Sequence, residues 1–74
     1  MLPSKSDPKW KAILTDPKDA PVSGLSTKMM LMRVKMMVKM DPSPAAFQSA
    51  VDSALDFFSK NEAAVQNDIK ALFG

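Results

Sequence analysis

Met29-Met30-Leu31-Met32-Arg33-Val34-Lys35-Met36-Met37-Val38-Lys39-Met40 holds six of the chain's seven methionines, and the fold turns on whether it is helix or strand. Two readings fit it. As a helix capped by Ser26, it gathers Lys28, Lys35 and Lys39 on one side at about 100° per residue. Arg33 then lies off that stripe and the rest is apolar. As a strand, Met30, Met32, Val34, Met36, Val38 and Met40 line one face, and Met29, Leu31, Arg33, Lys35, Met37 and Lys39 the other. Residue type separates the two. Met, Leu, Lys and Arg are good helix formers, only Val34 and Val38 favour a strand, and no second strand is in sight to pair with. A helix over 26–40 is expected.

C-terminal to it, Asp41-Pro42-Ser43-Pro44 stops one element and starts another, with Ser43 as N-cap and Pro44 in the first helical position. Phe47, Val51, Ala54, Leu55 and Phe58 then recur at helical spacing, while Asp52, Asp56 and Ser59 fall on the other side. Asp56 and Lys60 form a favourable i,i+4 pair. Ser59-Lys60-Asn61-Glu62 matches a capping box, with Asn61 as an alternative cap. A break there predicts helices over 44–59 and 62–73, the second with Val65, Ile69, Leu72 and Phe73 as its apolar face. No Gly or Pro enforces that break, so one continuous helix is the competing reading. Gly74 is placed to cap the C-terminus.

N-terminal to it, Pro3, Pro8, Pro17 and Pro21 punctuate residues 1–25, and Asp-Pro at 7–8 and 16–17 marks turns. An irregular arm is expected, with at most one helical turn around Trp10, Ile13 and Leu14. Trp10 is either a plug on the chain's own core or an anchor into a partner's pocket. The expected fold is therefore all-α: an arm over 1–25, then a helical domain over 26–74, a small bundle of two to three helices.

The composition narrows the chemistry. With 46% apolar and 24% charged residues the chain is in the ordinary globular range. A 74-residue chain buries only roughly 60% of its unfolded surface and has little stability to spare. There is no Cys for disulfides or thiolate sites and no His, the commonest metal ligand. The staple left by elimination is association, with another protein or another copy of the chain. No stretch is long and apolar enough to span a bilayer, and the N-terminus has charges without an apolar core behind them, so a cytoplasmic location is expected.

Residues 1–40 carry eight basic side chains against three acids, and residues 41–74 carry two against five. Either the basic half is aimed at something acidic, or the two halves pair with each other. Acid–base chemistry has little to work with, since His, Cys and Tyr are absent and Glu62 is the single Glu. Asp52 and Asp56 lie opposite the apolar stripe, where a solvated helix surface is the ordinary explanation. With two glycines, one of them terminal, no phosphate-cradling loop is available. No enzyme, cofactor or metal centre is expected.

Four binding chemistries suit the methionine helix. Met is flexible and polarizable and is over-used on surfaces that grip other proteins. Protein–protein interaction through Met30, Met32, Met36, Met37 and Met40 is therefore the leading expectation, with Arg33, Lys35 and Lys39 steering and Trp10 as the arm's anchor. Nucleic acid could use the same cations, although a single Arg is thin for base reading. An anionic membrane surface could use the same basic helix, which has no Trp or Phe to anchor it. Met32, Met36 and Met40, on consecutive turns, could ligate Cu(I) by thioethers. A helix apolar nearly all round, in a chain this short, must be covered by something.

Overall fold

A computed structural model describes residues 1–74 and is all-α, without strands: α1 (Lys9–Thr15), α2 (Leu25–Met40), α3 (Pro44–Lys60) and α4 (Glu62–Phe73). The methionine stretch is helix, not strand. The expected bundle of two to three helices becomes four, because the N-terminal segment contributes α1 and packs it against α2 and α4. The reason lies in Asp7-Pro8. Its Asp7 carboxylate accepts the Lys9 amide at 2.9 Å, and the Asp7 carbonyl accepts that of Trp10 at 3.1 Å. The same Asx/Ser-then-Pro grammar that starts α3 at Ser43-Pro44 thus starts a helix here too.

Trp10 makes this segment part of the core. It is 1% exposed. Its ring stacks on Phe58 of α3 at 6.2 Å and meets Phe73 of α4 edge-on at 4.8 Å. Its indole N–H, which could not be left unpaired in an apolar interior, donates to the Ser4 carbonyl at 2.8 Å. Lys9 closes the same corner, donating to the Phe73 carbonyl at 2.8 Å at the C-terminus of α4, where the helix dipole favours a cation.

α2 lies mainly against α3 and buries Thr27, Met30, Leu31 and Val34. α3 answers with Ala50, Val51, Ala54 and Phe58; Phe47 and Leu55 are half-buried beside them. Ser43 caps α3 as expected, its hydroxyl accepting the Ala46 amide at 3.1 Å. Asn61 separates α3 from α4, but not as a capping box. Its side-chain amide donates to the Phe57 carbonyl at 2.8 Å and closes α3, while its main-chain carbonyl accepts the Ala64 and Val65 amides at 2.9 and 3.1 Å and opens α4. Ser59 donates to the Asp56 carbonyl instead. Gly74 takes φ +85° and donates its amide to Lys70 at 2.8 Å, the left-handed helix end that glycine permits.

The charge asymmetry is resolved in two ways. Lys5 pairs with Asp52 at 3.3 Å and the N-terminal ammonium with Glu62 at 2.9 Å, so the first segment does pair with the acidic half. The cations of α2 join none of the ion pairs.

Candidate interaction surface

α2 starts at Gly24 rather than at Ser26, and no side chain from its own first turn caps it. Asp68 of α4 does so from across the bundle. Its Oδ1 accepts the Ser23 amide at 3.1 Å and the Gly24 amide at 3.5 Å. Asp68 is 5% exposed. Burial pushes its carboxyl up, but the Thr27 hydroxyl, the Ser23 and Gly24 amides and the Lys28 charge outweigh that, and its pKa lies below the ordinary value. The two amides carry the contact, because Thr27 Oγ1 does not reach full hydrogen-bond geometry with any partner. Gly24 leaves the room: a Cβ there would lie 2.6 Å from Asp68 Oδ2. This lock ties the start of α2 to α4, while packing on α3 buries one side of the helix and leaves the other facing outward.

What faces outward is a ridge. Leu25, Met29, Met32, Met36 and Met40 are 71%, 59%, 66%, 53% and 79% exposed. At about 100° per residue they fall within a sector of roughly 80°, opposite the buried Thr27, Met30 and Val34. α2 is therefore apolar on two opposed faces. The inner one is spent on the chain's own core and the outer one is free. Lys28, Lys35 and Lys39 border the ridge on one side and Arg33 on the other. No acidic residue occurs anywhere on α2.

Of the residues expected to form the contact surface, Met32, Met36 and Met40 lie on the ridge, and Arg33, Lys35 and Lys39 lie on its borders. Met37 is half-buried against the core. Met30 and Trp10 are corrected: each is 1% exposed and holds the bundle together from inside. Leu25 and Met29 were missed. Their signal was present as the spacing 25, 29, 32, 36, 40, which continues the ridge to the helix start. Lys35 is tethered, donating to the Lys18 carbonyl at 2.7 Å. Beside it a groove of about 210 Å³ runs between α2 and the 16–24 connection. Ala20, Val22, Leu31 and Met32 line it with Asp19, Lys28 and Lys35.

Other chemistry finds no comparable arrangement. No three His, Cys, Asp or Glu side chains converge as a metal site. No helix is long and apolar enough to cross a membrane. Met32, Met36 and Met40 do stand in line, as a thioether copper site would require, but largely open to solvent. No family model, curated protein or solved structure matches this chain.

Proposed function

We propose that this chain is a non-enzymatic binding module or small accessory subunit, cytoplasmic, that engages another protein through the outer ridge of α2. The observation that carries the reading is the double use of one helix. Thirteen apolar side chains already make a buried core, yet five large ones remain exposed in a line on α2. Together they offer on the order of 600 Å² of apolar surface, at the upper end of what a typical monomer leaves uncovered. At about 25 cal/mol per Å², covering that surface is a gross gain of roughly 15 kcal/mol. Association costs about 4–15 kcal/mol, so the ridge alone supports modest affinity and depends on its borders for the rest.

Methionine suits such a role because it packs against irregular surfaces without a fixed shape of its own. The groove next to Met32 gives a partner side chain somewhere to insert, as interface anchors commonly do. An anionic membrane or nucleic acid is the second reading, favoured by Lys28, Lys35 and Lys39 on one border.

The test is capture from native extract with wild-type chain and Met32→Asp/Met36→Asp side by side. Both positions are exposed, so the variant keeps its helical circular dichroism. A partner specific to the wild type should bind at least 100-fold more weakly to the variant, about 2.7 kcal/mol. Binding through the apolar ridge should also survive 0.5 M salt, whereas phosphate-driven binding falls steeply with ionic strength. Undiminished capture of the same partner by the double variant refutes the reading.

A further inference from the structure

Resting on the ridge as a binding face, we infer that its occupant is an amphipathic helix bordered by carboxylates, and not a second copy of this chain. The ridge has helix-pairing dimensions. Its residues recur at steps of 4, 3, 4 and 4 along the sixteen residues of α2, the spacing at which one helix packs along another. It spans about 22 Å at 1.5 Å per residue, some four turns.

The borders then decide the partner. Were two copies to pair ridge to ridge and antiparallel, Lys28, Lys35 and Lys39 of one would meet the same three lysines of the other. Were they to pair in parallel, those lysines would meet Arg33. Neither orientation supplies a single carboxylate, since α2 has none. Like charges along the flanks of paired helices are what natural coiled coils use to reject a partner.

On the other faces of a second copy the acids are already drawn into local contacts. Asp52, Asp56 and Glu62 are already in ion pairs. Asp7, Asp16 and Asp41 each accept a backbone amide two residues on. Asp68 is buried at the start of α2. Asp19 alone stands outside these contacts, and one acid does not make a border. Of the cations of α2 only Lys35 has a local contact, to the Lys18 carbonyl, and none is in an ion pair. A foreign helix with Leu-like side chains at 3–4 spacing and Asp or Glu on both flanks satisfies ridge and borders together.

The probe is a charge-reversed copy of the chain, Arg33→Glu/Lys35→Glu/Lys39→Glu, which presents the same ridge between acidic borders. Lys28 is kept because its charge acts on Asp68. Sedimentation is measured at 50 mM salt for wild type, for the reversed copy and for their mixture. Each should sediment alone as an 8.1 kDa monomer, and the mixture as a one-to-one complex. That complex should weaken at 300 mM salt by no more than about tenfold, since screening acts on the borders and not on the apolar ridge, and vanish when the wild-type member carries Met32→Asp/Met36→Asp.

A neutral variant, Arg33→Gln/Lys35→Gln/Lys39→Gln, guards against misfolding of the reversed one. Freed of repulsion, it should self-associate at lower concentration than wild type. Three results overturn the inference. In the first, wild type pairs with itself as tightly as the mixture does. In the second, the mixture stays monomeric while the neutral variant is no more associated than wild type. In the third, wild type binds phosphatidylserine-containing vesicles more tightly than it binds the reversed copy. The first result leaves the ridge as a binding face and changes only its occupant. Loss of the ridge itself is read separately, from undiminished capture by Met32→Asp/Met36→Asp.

Discussion

Replacing Asp68 by Asn tests the lock at the start of α2. The substitution keeps the shape of the side chain and one acceptor oxygen but removes the charge. That charge faces the Ser23 and Gly24 amides at the positive end of a sixteen-residue helix. Losing a helix N-cap costs about 0.5–2 kcal/mol, and hydrogen bonds to a charged group are worth about 1.5–3 kcal/mol. Because Asn still accepts one bond, about 1–2 kcal/mol is expected. Asp68→Ala, which strands the Ser23 and Gly24 amides, should cost about 2–4 kcal/mol. For a domain of this size, 1 kcal/mol corresponds to roughly 4–8 °C in melting temperature.

The pH dependence makes the test specific. The Asp68 carboxyl has a folded pKa below its ordinary value of 3.8. A depressed carboxylate pKa means that the charged form binds better in the folded state. Its contribution is therefore fully present above the unfolded pKa and is lost as pH falls through the folded one. Urea unfolding of wild type and Asp68→Asn, followed by circular dichroism at pH 7, 5, 4 and 3, should show the largest gap at pH 7 and 5. The gap should narrow below about pH 3.8. Taking the difference between the two proteins removes the titration of the other acids. Equal stabilities at pH 7, or a gap that widens on acidification, would refute the account of α2 being started from α4.

Gly24→Ala should destabilise by about 1–3 kcal/mol, the usual range for an over-packed site, because its Cβ meets Asp68 Oδ2 at 2.6 Å. A lowered urea midpoint with unchanged slope checks it, and combining it with Asp68→Ala should recover part of the loss. Trp10→Ala should cost about 3–5 kcal/mol, enough to leave a chain this small largely unfolded at 37 °C by circular dichroism. Retained cooperative folding in that variant would show that residues 1–25 are a separable arm after all.

The helices of this protein were legible wherever a start or a stop was written locally. Ser43-Pro44 placed α3, the Asn61 region broke α3 from α4 without any Gly or Pro, and the stripe of Val51, Ala54 and Phe58 faced the core as its spacing required. α1 was legible in principle, since Asp7-Pro8 carries the same signal as Ser43-Pro44. Reading it as a turn cost one helix and misplaced Trp10. Asp68 also left a trace. It sits between Val65 and Ile69 on the apolar face of α4, where an acid must find donors to be buried. Its donors lie more than forty residues away at Ser23 and Gly24, beyond the reach of any periodicity.

The helical class, the absence of disulfide and histidine chemistry, and the surplus of methionine on one element were all settled by residue order. Local propensity and hydrophobic spacing act within a few residues and need no neighbours. Which side of α2 would be spent on the core was not settled, because its methionines occur all around the helix and either half could have been buried. Packing against α3 and the grip of Asp68 on its first turn chose Met30, Leu31 and Val34 for the inside. Leu25, Met29, Met32, Met36 and Met40 were thereby left outside, a choice made by contacts between segments far apart in the chain.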